Sequence, residues 1–116
     1  MATITPSITA SPEGSHKVFI ATWASMANSD VGEPIPLSQY SDRSVQVAGV
    51  LAGGSVTMEG SLNGVDYSVL TDPQGNNLVL TTQKIEMVTE LVRFLRPVVS
   101  SGAGTTVSVT LLLRLT

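Results

Sequence analysis

The sequence predicts an all-β fold: a jelly-roll-like antiparallel β-sandwich of about eight strands with an extended N-terminal arm. Short runs rich in Val, Ile, Leu and Thr alternate with clusters of Gly, Asn, Asp and Pro. In a chain of 116 residues, this close spacing of strand and turn signals is typical of a sandwich or barrel. Asn63-Gly64 lies between two such runs and predicts a hairpin with a tight type I′ turn. An immunoglobulin-like sandwich is the second interpretation.

The length and composition indicate a single domain that needs no covalent staples. The chain contains no cysteine, which excludes disulfides and thiolate-bound zinc or iron–sulfur centres. Charged residues make up only 13% of the chain, so its surface is built largely from Ser, Thr, Asn and Gln and suits packing against other protein. Phosphate binding needs clustered Lys and Arg. Of the six basic residues only Arg93 and Arg96 are close in sequence, so we expect no nucleic-acid partner.

No part of the chain resembles a membrane segment. The first residues lack the basic region and the apolar region of a signal peptide. No run approaches the ~18 apolar residues of a spanning helix. We therefore expect a soluble protein that is made in the cytosol and has no membrane partner.

Residues 1–15 are predicted to form the N-terminal arm, and residues 16–116 the sandwich domain. The arm carries two prolines and a glycine among Thr and Ser, and it has little apolar surface to bury on its own. It is either a frayed terminus or an extended arm that orders against a neighbouring subunit. In the second case Ile4 and Ile8 would fill pockets on that neighbour.

The first predicted strand, residues 17–26, is apolar on both faces. Phe19, Ala21 and Trp23 lie on one face and a second largely apolar row lies on the other, as in a central strand that is buried on two sides. Residues 27–36 are predicted to be a loop from their Asn, Asp, Gly and Pro content. Further strands are predicted over residues 43–51, 55–62, 65–70, 78–82 and 105–116.

Glycine-containing segments between these strands are predicted to be turns. Those at residues 53–54 and 102–104 are not followed by Lys-Ser/Thr or by a helix start, so they indicate hairpin turns rather than a phosphate cradle. Residues 71–77 combine Asp, Pro, Gly and Asn in the manner of a third turn. Gly60, inside a predicted strand, indicates either a bulge or a close approach of the backbone to another part of the chain.

Residues 84–95 match both a helical stripe and a strand face of apolar residues, and the period alone does not decide between them. We favour a short strand, a turn near Glu90 and a second strand through Arg96. The neighbouring segments are β, and Pro97 pushes the residue before it toward extended geometry.

No arrangement of residues predicts a reaction centre. His16 is the single histidine and stands apart from the acids or nucleophiles that a triad or a zinc site would need. Asp66 and Asp72 flank one strand, lack EF-hand spacing, and are interpreted as carboxylates that cap turns. No serine lies in a Gly-x-Ser-x-Gly elbow. We therefore predict no enzymatic activity, no cofactor, no metal and no small-molecule substrate.

Aromatic residues make up 4% of the chain, which leaves few for the row of exposed rings that a carbohydrate-binding sandwich displays. Trp23 is interpreted as a core residue. Arg93 and Arg96 straddle a predicted strand, so one of them is a candidate interface anchor. A salt bridge at the strand edge is an equal alternative.

Several motifs resemble those of small tailed-phage structural proteins encoded among the head genes. The motifs are Ser-Val-Gln-Val-Ala-Gly (44–49), Gly-Gly-Ser-Val-Thr-Met-Glu-Gly-Ser-Leu-Asn-Gly (53–64), Leu-Thr-Asp-Pro-Gln-Gly-Asn (70–76), Arg-Phe-Leu-Arg-Pro (93–97) and Val-Thr-Leu-Leu-Leu-Arg (109–114). Together they cover most of the chain beyond the arm. The resemblance implies a virion component with a β-sandwich fold, in particular a capsid decoration (cement) protein.

From this resemblance we expect a protein that binds the outside of a phage capsid and reinforces contacts between capsomers. Its partners would be the major capsid protein and itself, as a dimer or trimer, in a virion assembled from proteins made in the host bacterial cytoplasm. The alternatives are a neck, tail or fibre-associated β-module of the same particle and a carbohydrate-binding β-sandwich. The residues expected to make protein contacts are Ile4, Pro6, Ile8, Tyr40, Arg43, Arg93 and Arg96.

Overall fold

The computed structural model describes residues 2–10, 17–37, 39–100 and 102–115 as two packed β-sheets. The strands are β1 (Thr3–Ile4), β2 (Ser7–Ala10), β3 (Val18–Ala27), β4 (Val31–Gly32), β5 (Ile35–Pro36), β6 (Tyr40–Val50), β7 (Ser55–Ser61), β8 (Ser68–Val69), β9 (Val79–Leu80), β10 (Lys84–Met87), β11 (Phe94–Ser100) and β12 (Thr106–Leu115). These ranges contain no helix, and the predicted all-β sandwich is confirmed.

The two sheets differ in their makeup. The seven-stranded sheet has the order β1-β4-β11-β7-β8, with β5 also paired to β11 and β9 to β7. The five-stranded sheet has the order β10-β6-β12-β3-β2 and contains the three longest strands, β3, β6 and β12. Strands β1 and β4 run parallel, and the other pairings of the described strands are antiparallel.

The core lies between the sheets and follows the two-residue period of a strand. Every second residue of β12 from Val107 to Leu113 is buried, as the sequence predicted. Strand β7 alternates in the same way and has Gly60 on its buried face. A methyl group on Gly60 would lie 2.8 Å from side-chain carbons of Leu70 and Val92. This glycine therefore marks a close approach of two side chains to the backbone.

Strand β3 is buried on one face only. Ala21 and Trp23 are fully buried, and Phe19 packs against the core from its margin. Ile20 and Thr22, on the other face, remain partly exposed. The two-sided burial predicted for this strand is therefore wrong. Within the described residues, only one side of the five-stranded sheet is covered by the other sheet.

The glycine-rich turns predicted as hairpins instead connect the two sheets. The turn at Ala52-Gly53 leads from β6 in the five-stranded sheet to β7 in the other, and the segment after Gly102 leads back from β11 to β12. Ala52 and Gly53 both have positive φ, 50° and 81°, and the hydroxyl of Thr105 donates a hydrogen bond to the carbonyl of Leu51 at 2.5 Å. The two connections thus pack side by side at one corner of the sandwich. The hairpin interpretation is wrong because each turn joins strands of different sheets.

Asn63-Gly64 lies in a six-residue loop, residues 62–67, rather than in a two-residue turn. Gly64 has φ +79°, whereas Asn63 is not among the residues with positive φ. The hydroxyl of Ser61 accepts hydrogen bonds from the backbone N–H groups of Asn63 and Gly64 at 3.2 and 2.9 Å. Side chains therefore satisfy this backbone locally, and the predicted type I′ hairpin is wrong. The strand predicted over residues 65–70 shortens to β8.

The ambiguous segment, residues 84–95, forms strands and no helix. Strands β10 and β11 flank a loop that includes Glu90, as favoured from the sequence. Residues 71–77 form the predicted turn, in which Asp72 accepts hydrogen bonds from the N–H groups of Gln74 and Asn76 at 3.0 and 2.9 Å.

The predicted arm contributes a strand to each sheet. Strand β1 pairs with β4 and strand β2 pairs with β3. The carboxylate of Asp30 also accepts a hydrogen bond from the N–H of Ala2 at 3.0 Å. Residues 2–10 are thus held on the body of their own chain. The rest of the predicted arm and His16 lie outside the described residues.

Candidate interaction surfaces

The described residues form no cluster of three or more His, Cys, Asp or Glu that could hold a metal ion. Among them there is also no helix both long and apolar enough to span a bilayer. The features that stand out are surfaces: most of the exposed large hydrophobic residues, though not Ile8 and Val50, fall into two apolar regions.

Two of the predicted contact residues on the arm face different environments. Ile4 is partly buried and packs against the core of its own chain, whereas the side chain of Ile8 is 50% exposed on β2. Pro6, between β1 and β2, is partly exposed. Tyr40 packs edge-to-face on Phe19, with ring centroids 6.0 Å apart. Of these four residues, Ile8 is the one whose apolar side chain is most exposed to solvent.

Arg43 is buried rather than displayed. Only 3% of the residue is exposed, since it lies on the inner face of β6. Its Nη2 donates to the carbonyl of Glu90 at 2.6 Å, while Nε and Nη1 have no hydrogen-bond partner. Burial lowers the pKa of Arg43 below its ordinary value, and the nearby carboxylates of Glu90 and Asp42 oppose that shift. The guanidinium therefore lies inside the molecule and is not exposed for contact with a partner.

Arg96 and Arg93 both lie beside aromatic rings. Arg96 forms an ion pair with Glu59 on the neighbouring strand at 2.9 Å and lies 3.9 Å from the ring centre of Tyr67. Arg93 lies 5.1 Å from the ring centre of Phe94. Arg96 thus forms a salt bridge, but on the outer side of β11, which is paired on both sides, and not at a strand edge as the alternative had it. It holds that guanidinium in place on its own chain.

The first apolar region is the side of the five-stranded sheet that faces away from the other sheet, and we call it the outer face. Two rows of side chains run across all five strands there, as the strand registers show. One row is Met87, Ser44, Leu112, Ile20 and Thr9, and the next is Ile85, Gln46, Thr110, Thr22 and Ser7. Neither row contains a charged residue. The adjacent row holds the ion pair of Asp42 and Arg114, joined by Arg114 Nε at 2.7 Å.

The outer face is also uneven. Ile85 and Met87 stand up at the β10 edge with 63% and 55% of each residue exposed, and Leu112 is 38% exposed. Between them the shorter side chains of Ser44 and Gln46 leave a groove with a volume of about 180 Å³. The face therefore combines apolar ridges with a trough next to them.

The second apolar region lies at one end of the sandwich, and we call it the loop tip. It consists of four exposed hydrophobic residues in or beside the loops that precede β8 and β11: Leu62, Val65, Val69 and Leu91. Of these, Leu62 and Val69 line an open basin of about 400 Å³, whose lining also includes Asp66 and Glu90. The loop tip is thus apolar and acidic.

Glu90 is fixed in this basin by hydrogen bonds. Its Oε2 accepts from the backbone N–H and the hydroxyl of Thr71, at 2.8 and 2.5 Å, and its Oε1 accepts from Thr89 at 3.3 Å. Burial raises the pKa of Glu90, but these hydrogen bonds outweigh it and the pKa lies below its ordinary value. The carboxylate therefore stays charged and joins the loop before β11 to the turn that starts at Thr71.

Trp23 does not form part of a surface. It is fully buried, and its Nε1 donates to the carbonyl of Glu33 at 3.0 Å. The interpretation of Trp23 as a core residue agrees with this placement. Its ring is not available for stacking on a sugar.

Sequence reasoning missed the outer face because it treated the second apolar row of β3 as core. The signal was present in two strands, since Ile20 and Leu112 occupy positions that alternate with buried ones. It needed the strand order to be recognised, because only pairing brings these residues onto one surface.

Comparison with known proteins supports the fold. The SPBc2 prophage-derived protein YomS superposes with a TM-score of 0.65 at 10% identity, over 83% of this chain and 93% of its own. A cupin-domain protein from Bordetella pertussis Tohama I superposes with a TM-score of 0.46 at 13% identity, over 96% of this chain and 91% of its own. The K1 cleaved adhesin domain of Lys-gingipain from Porphyromonas gingivalis W83 superposes with a TM-score of 0.45 at 9% identity, over 97% of this chain and 85% of its own. No protein-family model and no curated protein matches the chain.

Proposed function

We propose that the chain is a non-enzymatic structural protein of a phage particle, which binds the outside of the capsid and reinforces contacts between capsomers. Its partners are the major capsid protein and further copies of itself. The observation that carries the proposal is the presence of two separate apolar surfaces, the outer face and the loop tip, on one β-sandwich.

A bridging protein needs at least two contact surfaces whose separation is fixed. The two surfaces here belong to one sandwich with a continuous core, so a contact at one surface positions the other. Each bound copy would stabilise the assembled shell by mass action, because it binds the assembled form and not the separated subunits.

The sparse charge of the chain fits this role as well. Protein interfaces have cores that are depleted of charged residues and a rim that is polar. The two uncharged rows of the outer face, bordered by the ion pair of Asp42 and Arg114, follow that pattern. The likeness to a prophage-derived protein is compatible with a phage origin and carries no information about a position on the capsid.

The direct test compares particles with and without the protein. Deletion of the gene from the phage that encodes it should give particles that lose their DNA at a lower temperature, and purified protein should restore the resistance. Particles that are equally resistant without the protein would contradict the reinforcing role. Copy number separates the main alternative: from the family resemblance we expect hundreds of copies per particle for a capsid-wide protein and about a dozen or fewer for a neck, tail or fibre module.

The carbohydrate-binding alternative has less support from the structure. Its usual platform is a row of exposed aromatic rings, and Trp23 is buried while Tyr67 is covered by the guanidinium of Arg96. A glycan-binding screen tests it independently of the particle experiment. We expect no binding in that screen.

A further inference from the structure

We propose that the outer face of the five-stranded sheet binds a second copy of this chain about a two-fold axis, and that the loop tip is left free for a different partner. This deepens the proposed function, on which it rests for its use in the particle. Three properties of the outer face carry the inference: its area, its charge and its shape.

The area of the outer face reaches the lower limit of a specific dimer interface. Strands β3, β6 and β12 have 10, 11 and 10 residues, and the edge strands β2 and β10 have 4 each. With strands about 4.8 Å apart and about 3.3 Å per residue, the face measures roughly 600 Å². Two copies would bury about 1,200 Å² in total, which is the lower limit of the standard size for specific interfaces.

The charge of the face suits a contact between identical copies. The chain carries a net charge of −3, so a copy can meet another only where its excess acid is absent. The two central rows are uncharged, and the bordering Asp42 and Arg114 neutralise one another. At the loop tip the opposite holds, because two copies meeting there would bring four carboxylates together, those of Asp66 and Glu90 from each copy. Like charges that face each other across an interface disfavour the contact.

The shape of the face suits a two-fold contact. A two-fold interface uses the same patch twice, so the patch must contain both a projection and a recess. Ile85 and Leu112 project beside Ser44 and Gln46, and the groove that these four residues help to line is about 180 Å³. Rotation by two-fold symmetry places the ridge of one copy over the groove of the other. Sheets that pack face to face in this way interdigitate their side chains at a separation of about 10 Å.

Sedimentation velocity over a range of concentrations tests the proposal with two matched variants. Ile85→Glu places a charge in the outer face, and Leu91→Glu places the same charge at the loop tip. The two residues are similarly exposed in one copy, 63% and 68%, so neither change should unfold the chain. We expect the wild type and Leu91→Glu to be dimers, and the dissociation constant of Ile85→Glu to rise about 100-fold or more, because the new carboxylate would be buried without a partner.

A second measurement does not depend on these variants. The chain has no cysteine, so Gln46→Cys supplies a single thiol near the middle of the outer face for a nitroxide label, and Thr57→Cys supplies one on the opposite side of the sandwich. We expect strong dipolar broadening between labels at residue 46 and little between labels at residue 57. Equal spectra for the two would overturn the proposal.

Other outcomes distinguish the occupant of the face. A wild type that stays monomeric at the highest concentration, or an Ile85→Glu chain that stays dimeric, overturns the proposal. If the wild type is monomeric and Ile85→Glu fails to bind particles, the outer face contacts the shell instead. Binding to particles is measured separately, so a dimer that does not bind them supports this inference and contradicts the proposed function, whereas a monomer that binds them does the reverse.

Discussion

Pro97 of β11 lies directly against Gly32 of β4, with no room for a side chain between them. A methyl group on Gly32 would lie 2.6 Å from Cγ of Pro97 and 2.8 Å from Nε1 of Trp23. The pair explains how a proline is accommodated inside a central strand. Opposite it, Met58 directs its N–H and C=O to Leu78 and Leu70, away from β11.

On the other side of Pro97, the strand that pairs with β11 is interrupted. Strand β5 pairs with the start of β11 and β4 pairs with its later part, and the two short strands are separated by Glu33 and Pro34. Pro97 thus lies beside Gly32 at the end of β4, just before the gap between β4 and β5. The same gap leaves the carbonyl of Glu33 free to accept from Trp23.

We predict that Gly32→Ala destabilises the fold by about 1–3 kcal/mol, the usual cost of overpacking a tight core. The added methyl would meet a rigid ring on one side and a buried indole on the other, and neither can move freely. Urea unfolding measures the loss. Gly104→Ala is the matched control, because its methyl would come no closer than 3.5 Å to the nearest atom, the Cβ of Ala52. An unfolding curve for Gly32→Ala that matches the control would contradict the close approach.

A second prediction concerns Trp23, the single tryptophan of the chain. It is fully buried with its N–H paired, so its fluorescence should peak at a short wavelength and be protected from acrylamide in the native state. Unfolding should shift the peak to longer wavelength and remove the protection. Soluble glycans should leave the native spectrum unchanged. Strong acrylamide quenching before unfolding would show that the indole is accessible and that this packing is wrong.

The strand pattern of this chain was readable from the sequence because it depends on local alternation. Strands β7 and β12 each bury every second residue, and no other arrangement satisfies that period. The segment around Glu90 was resolved by its β neighbours and by Pro97. These signals all lie within a few residues of the structure that they specify.

The pairing of strands into sheets was not readable, because it depends on contacts far apart in sequence. Ala52-Gly53 has the geometry of a tight turn, but its role as a corner is set by Thr105, more than fifty residues later. Arg43 was expected at a surface because of its charge, yet it shares the inner face of β6 with Val45, and the carbonyl that pairs with it there comes from Glu90 in a distant loop. The candidate surfaces share this property, since the outer face exists only once β10, β6, β12, β3 and β2 are in order.

The corner contact gives a third prediction. Thr105 is buried and its hydroxyl donates a hydrogen bond to the carbonyl of Leu51, so Thr105→Val should cost about 0.5–1.5 kcal/mol by removing that bond, while the carbonyl keeps the bond from the N–H of Gly54. The change keeps the volume of the side chain. Thr106→Val, at the exposed neighbouring position, serves as the control and should change stability little. If the two variants unfold at the same denaturant concentration, the corner bond does not contribute to stability.

Replacement of Arg43, unlike that of Thr105, is predicted not to lower the stability of the fold. Two of its buried nitrogens have no hydrogen-bond partner, and its charge is desolvated, so the native state gains little from the guanidinium. We expect Arg43→Met to lie within about 1 kcal/mol of the wild type or to be more stable, since replacement of a buried ionic group by an apolar one of similar size is often neutral or stabilising. Arg43→Ala should be less stable than both, because it leaves a cavity. Chemical denaturation of the three proteins measures their free energies of unfolding. A large decrease for Arg43→Met would show that the charge is needed for stability.

Glu90 predicts how stability depends on pH. Its pKa is lower in the folded chain than the ordinary value of 4.5, so the unfolded chain binds a proton more readily than the folded one. Its contribution is therefore complete above that ordinary value and is lost as the pH falls through the lower folded pKa. The hydrogen bonds from Thr71 supply this difference, because they favour the charged carboxylate.

The variant that isolates this effect is Glu90→Gln, which keeps an oxygen for Thr71 and removes the titration. Unfolding free energies measured from neutral pH to below pH 4 should fall less steeply for Glu90→Gln than for the wild type. Glu33→Gln, which replaces an exposed glutamate, should follow the wild-type curve. Parallel curves for the wild type and Glu90→Gln would mean that the carboxylate does not link the loop before β11 to the turn at Thr71. The acidic character assigned to the loop tip would then depend on Asp66 alone, and the repulsion between two copies at that end would be correspondingly weaker.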